Sequence, residues 1–108
     1  MTPAIITFVP GNADLAQLVA AHTGGSVHHC GSGGEDAKSL LPRLFRGGTP
    51  IIGICAAGIL IRLLAPVLAD KQDEPPVLAV SQDGASVVPL LGGHHGANRL
   101  ARELAVAL

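Results

Sequence analysis

The sequence predicts a three-layer α/β fold, a flavodoxin-like and mostly parallel sheet with helices on both faces. Three observations predict it. Short apolar runs of strand length alternate with stretches of helical periodicity, in the order β-α-β-α-β-α-β-β-α. The runs are apolar throughout, as strands buried on both faces are. Hydrophobic residues make up 48% of the 108 residues and charged ones only 14%, where about 25% is usual. That length suits a single domain, and that composition excludes a disordered chain.

The elements follow in order. Residues 4–9 (AIITFV) form a short apolar run bounded by prolines, the pattern of a buried strand. Pro10-Gly11 turns the chain, and Asn12 or Asp14 can cap a helix with Leu15, Leu18, Val19 and His22 on its apolar face. Gly24-Gly25 stops it. Residues 26–30 (SVHHC) are a short second strand, followed by the glycine loop GSGGED. Helical spacing of Ala37, Leu40, Leu41, Leu44 and Phe45 then predicts a helix starting near Ser39, with Pro42 in its first turn.

Residues 50–55 (PIIGIC) are the third strand, and 56–69 the third helix, apolar nearly all round and so buried on more than one side. Pro66 should kink or shorten that helix. DKQDEPP is a solvated loop, and 77–81 the fourth strand. Asp83-Gly84 signals a hairpin returning along 86–91, where Pro89 argues for an edge strand. Ala97, Leu100, Ala101, Leu104, Ala105 and Leu108 mark a last amphipathic helix. Right-handed crossovers give the strand order 2-1-3-4 with the fifth strand as an antiparallel edge.

Composition narrows the partners. Seven Lys+Arg against eight Asp+Glu, with two aromatic residues, give no basic patch or stacking platform for nucleic acid. Residues 51–69 approach the length of a membrane span. Arg62 near their middle, with Gly53, Gly58 and Pro66, argues instead for a strand followed by a helix. Cys30 and Cys55 form no CxxC motif and read as buried thiols of a cytoplasmic domain.

In open α/β sheets ligands bind beyond the carboxyl ends of the strands. Residues 10–12, 28–36, 55–58 and 91–98 are expected to meet there, with four of the five histidines. In GGHHGAN, Gly92, Gly93 and Gly96 allow tight turns and close approach to a ligand. The helix starting at Ala97 offers unpaired N–H groups to an anion. His94 and His95 suit acid–base work near neutral pH, though an exposed strand-to-helix turn would look the same. Arg62, alone in an apolar helix, should pair with a ligand carboxylate or, alternatively, with Asp70, Asp73 or a partner protein. Neighbouring His28 and His29 face opposite sides of a strand, so at most one serves a shared site. No phosphate-loop, dinucleotide or nucleophile-elbow motif occurs, and no ligand spacing supports a metal site.

From Gly58 onward the sequence resembles the N-terminal domain of the CbiG family of cobalamin biosynthesis, the cobalt-precorrin-5A hydrolases. The family pattern GI-x-VR-x-x-AP is matched by Gly58, Ile59, Arg62, Ala65 and Pro66, and K-x-x-DP by Lys71. D-x-G-x-x-x-x-LLSGH is matched by Asp83, Gly84, Leu90, Leu91, Gly93 and His94. GGAN-x-LA is matched by Gly96, Ala97, Asn98, Leu100 and Ala101. Glu74-Pro75 replaces Asp-Pro, Gly92 replaces Ser, and GGHHGAN is one residue shorter than the family's loop.

The resemblance implies a domain of a longer enzyme that opens the δ-lactone of a corrinoid intermediate with loss of acetaldehyde. His94 or His95 would be the base. Gly58, Arg62, Gly93, Gly96, Ala97 and Asn98 would hold the substrate. It implies a C-terminal hydrolase domain or a fused methyltransferase domain as partner, with cobalt carried by the tetrapyrrole rather than by a resident cofactor. A homodimer is compatible with the low surface charge. The alternative is a non-catalytic module that binds a tetrapyrrole or docks a methyltransferase of the same pathway.

Overall fold

The computed structural model describes residues 2–68 and 74–108. Five strands form one sheet in the order β2-β1-β3-β4-β5: β1 Ala4–Thr7, β2 Ser26–His29, β3 Ile51–Ile54, β4 Val77–Val80 and β5 Val87–Leu91. The first four are parallel and β5 runs antiparallel at the edge. Four α-helices, α1 Ala13–Thr23, α2 Ala37–Arg46, α3 Ala57–Leu64 and α4 Ala97–Ala107, cover the two faces. This is the expected flavodoxin-like order.

Alternation along the strands divides the core into two layers. Ala4, Ile6, Ile51, Val77 and Ala79 pack with Leu40, Leu41 and Phe45 of α2 and with Leu60 and Leu64 of α3. Ile5, Ile52, Ile54, Leu78 and Val80 pack with Ala16 and Val19 of α1 and with Ala97, Ala101 and Leu104 of α4. Gly53 in β3 is required by packing: a Cβ there would lie 2.6 Å from Leu60 Cδ2.

Several sequence expectations are corrected. Helix α1 buries Ala16 and Val19, while Leu18 and His22 are exposed. The inner face is centred on Ala16 and Val19, with Leu15 half-buried against the same layer. Helix α2 begins at Ala37, where the Asp36 carboxylate accepts the Lys38 N–H (3.3 Å) and the Ser39 hydroxyl (3.0 Å). Capping therefore sets the start, and Pro42 falls in the second turn instead of the first.

Helix α3 buries only Leu60 and Leu64; Ile59 and Ile61 are 40% and 50% exposed, and Arg62 is exposed too. It is an outer-layer helix with one free face, so Arg62 needs no internal partner. The chain passes at Ala65–Val67 into a short 3-10 turn containing Pro66, which shortens the helix as expected. The end of the expected 56–69 helix, most of the charged loop, and Asp70, Lys71 and Asp73 lie outside the described residues. Among the described residues no helix is long and apolar enough to cross a membrane.

The hairpin after β4 closes around Asp83, whose carboxylate accepts from the Ser81 hydroxyl (2.6 Å) and the Ala85 N–H (3.0 Å). Ser81 N–H bonds the Ser86 carbonyl, and the register then places Pro89 opposite Leu78 in a non-hydrogen-bonded pair. The missing N–H of Pro89 thus points off the open edge, where it leaves no ladder bond unmade and blunts the edge against further pairing.

Candidate functional site at the carboxyl edge

The carboxyl ends of β1, β2 and β3 deliver Phe8, the 31–36 loop and the start of α3 to one edge of the sheet. The loop is closed by its own backbone. The Gly31 N–H donates to the Glu35 carbonyl (3.2 Å), and the Glu35 N–H donates to the His29 carbonyl (2.9 Å). His28 Nδ1 donates to Glu35 Oε2 at 2.8 Å and ties the loop to β2. Gly34 passes so close to the His29 carbonyl that no Cβ would fit.

Between this loop, α2 and α3 lies a groove of about 630 Å3. Phe8, Ile59 and Leu63 form apolar walls, and Lys38 and Arg62 stand at its rim with Glu35 and Asp36. The volume is typical of small-molecule sites. Two smaller clefts of about 300 and 310 Å3 notch the same edge, one beside His29 and Cys30, the other beside Cys55 and Val88. His28 and His29 do face opposite sides: His28 pairs with Glu35 while His29 lines a cleft.

The two thiols are poor nucleophiles here. Burial pushes Cys55 up to about 11, and burial with nearby Glu35 and Asp36 raises Cys30. Cys30 follows β2 and Cys55 follows β3, and β1 lies between those two strands. Two strand spacings, about 10 Å, separate their backbones, beyond the reach of a disulfide.

The structure divides the expected site. Gly58 and Arg62 lie on α3, Arg62 on the groove rim and Gly58 in the first turn beside it. GGHHGAN lies elsewhere. Because β5 is antiparallel, Leu91 pairs with Val77, the first residue of β4, and the chain leaves the sheet at its amino edge. Gly93, His94, His95, Gly96, Ala97 and Asn98 follow there, on the opposite edge from the groove and separated from it by the length of a four-residue strand, about 13 Å. The expectation that four loops share one crevice is corrected on this point: a hairpin before the last helix inverts the end at which that helix starts.

The amino-edge turn has its own logic. Gly92 (φ +78°) and Gly96 (φ +97°) are left-handed, and a Cβ on Gly92 would lie 2.5 Å from the Pro75 carbonyl oxygen. His94 and His95 are exposed on a 3-10 turn, and Asn98 is exposed behind it. Ala97 is buried against the sheet and contributes packing. His28 and Cys30 sit at the other edge, so these residues and the two histidines cannot share one ion. Sequence reasoning missed Phe8, Lys38, Ile59 and Leu63 as lining residues. The available signal was the placement of 28–36 at the carboxyl edge, just before the helix that carries Lys38.

The fold and groove define a flavodoxin-like α/β domain with its cleft beyond the carboxyl ends of the parallel strands. Residues 39–108 match the Cobalamin synthesis G N-terminal family model, and the chain belongs to that family. A cobalt-precorrin-5A hydrolase of Priestia megaterium is 42% identical over 72 residues, covering 66% of this chain and 19% of that protein. The protein of the same name in Salmonella typhimurium is 47% identical over 58 residues, 53% of this chain and 16% of that protein. The chain thus spans about a fifth of the curated relatives it matches. A crystal structure of a cobalamin biosynthesis protein G homolog from Sulfolobus solfataricus shares the fold, with a TM-score of 0.77 and 21% identity over 98% of this chain and 34% of that one.

Proposed function

We propose that this chain is one domain of a cobalamin-pathway hydrolase, and that it holds a corrinoid intermediate whose δ-lactone the longer enzyme opens with release of acetaldehyde. The similarity to two proteins named cobalt-precorrin-5A hydrolase carries this reading. The carboxyl-edge groove supports it, with apolar walls for a ring and cations for its carboxylates. Cobalt arrives with the substrate, and no resident cofactor is invoked. The partner is the remainder of such an enzyme or a fused methyltransferase domain, in the cytoplasm.

Water attack on a lactone needs a base and a group that stabilises the oxyanion. His94 or His95 with the N–H groups of Gly96 and Asn98 would supply both only to a ring seated at the amino edge, since the Ala97 N–H is already bonded to the Gly92 carbonyl (3.2 Å). A ring in the groove would be acted on by groups outside this domain. The separation of the two edges therefore favours the second reading as well, a binding module without its own chemistry. Titration of cobalt-precorrin-5A with the chain tests the proposal. Its visible spectrum should shift and saturate at one ligand per chain, and an unchanged spectrum up to about 1 mM, far weaker than typical substrate affinities, would overturn it. Acetaldehyde release in the same mixture separates the two readings.

A further inference from the structure

The groove carries four charged side chains, and they are not equivalent. The Asp36 carboxylate is occupied in capping α2, and the Glu35 carboxylate is bonded to His28. Among the described residues no ion pair reaches the Lys38 ammonium or the Arg62 guanidinium. Both also line the adjoining cleft of about 300 Å3 with Pro42 and Pro66, so both lie where the two cavities meet. Two like charges placed together repel mildly unless an anion lies between them. The acids are engaged with the protein's own groups and the two cations are not, so Lys38 and Arg62 are the charged groups left to bond a ligand.

We propose that Lys38 and Arg62 form a two-point carboxylate grip, and that the ligand is a flat, largely apolar polycarboxylate laid against Phe8, Ile59 and Leu63. The inference rests on the corrinoid reading above and assigns residues to it. Arg62 offers a planar fork that suits a bidentate carboxylate, while Lys38 is a mobile point charge. Their placement on separate helices, α3 and α2, fixes two anchor points on the ring and so its orientation.

The test titrates the chain into uroporphyrin, an octacarboxylate tetrapyrrole, and follows the Soret band. The wild type should shift the band with an affinity that falls as salt rises. Lys38→Gln and Arg62→Gln should each weaken binding about three- to tenfold, the range expected for partly exposed charge contacts. Arg46→Gln, at the far end of α2, should bind within about twofold of wild type. A tetrapyrrole with cationic substituents in place of carboxylates should not bind.

Far-UV circular dichroism confirms that each variant is folded. Binding by the wild type with equal affinity in both groove variants overturns the grip while leaving the corrinoid reading intact. Weakening by Arg46→Gln to the same degree also overturns it, as a net-charge effect. So does equal binding of the cationic tetrapyrrole. No shift with the wild type removes the grip, and no shift with cobalt-precorrin-5A removes the wider reading.

Discussion

Leu91 lies opposite Val77, the residue that opens β4. This one pairing decides where half of the family pattern goes. Parallel strands present their carboxyl ends at the edge that holds Phe8, Arg62 and the groove. The antiparallel return of β5 sends Gly93, His94 and Asn98 to the opposite edge. The two stretches of the family pattern around Arg62 and around His94 therefore lie on different surfaces of the same copy.

Loss of the histidines should accordingly leave the groove alone. His94→Ala and His95→Ala are expected to bind uroporphyrin within about twofold of wild type, since neither ring reaches the groove. Weakening comparable to that of Arg62→Gln would place the turn and the groove in one site, against the topology. In a longer hydrolase carrying this domain, loss of the base should lower acetaldehyde release about a hundredfold or more with affinity unchanged. Undiminished release from both variants would take the histidines out of the chemistry.

The glycines of the amino-edge turn should separate by cost. Gly96 is left-handed but faces open space, so Gly96→Ala pays conformational strain of about 1 kcal/mol. Gly92 is left-handed and its Cβ would strike the Pro75 backbone, which cannot rotate aside as a side chain can. Gly92→Ala should cost about 3 kcal/mol, strain and overpacking together. Urea midpoints followed by far-UV circular dichroism measure both, because the chain has no Trp or Tyr to report by fluorescence. Equal midpoints for the two variants would contradict the placement of Pro75 against the turn.

What the sequence displayed and what it concealed differ in physical kind. Element order and sheet order were legible because β1, β3 and β4 are apolar without alternation and because Asp83-Gly84 marks the hairpin. The inner face of α1 was legible only in part: Leu15 and Val19 pack inward, but Ala16 is buried for its small size while the larger Leu18 lies outside. Helix α3 looked buried all round because Ile59 and Ile61 are as apolar as Leu60 and Leu64. Periodicity cannot separate the faces of a helix whose residues are nearly all apolar. The site was half legible. Arg62 and the 28–36 loop are marked by residue type and position, but the edge holding His94 depends on the direction of β5, which the hairpin reverses and which no side chain of the GGHHGAN turn displays.

Gly53 and Leu60 should behave as a coupled pair. Leu60 is fully buried, and its Cδ2 occupies the space a Cβ on Gly53 would take. Gly53→Ala should destabilise the domain by about 1–3 kcal/mol through overpacking. Leu60→Val alone should also destabilise by leaving a void. The double variant should be more stable than the sum of the two losses predicts, by about 1 kcal/mol for residues in contact. Strict additivity in a thermal or urea double-mutant cycle would mean that the two side chains do not share that space.

Cys55 gives the domain an alkaline limit. Its thiol sits among apolar residues at the end of β3, and burial alone raises it from an ordinary 9.0 to about 11. The folded state therefore holds this proton more tightly than the unfolded chain does. Its contribution to stability is fully present below pH 9.0 and is lost as the pH rises from there through about 11, because only the unfolded thiol ionises readily in that window. Cys30, shifted in the same direction, adds to the trend. Lysines also titrate at this pH, so the informative quantity is a difference. The stability of wild type minus that of Cys55→Ala, measured in urea at several pH values, should be flat below 9.0 and fall toward about 11. A difference that stays level across the whole range would show that the thiol is as free to ionise in the folded domain as outside it.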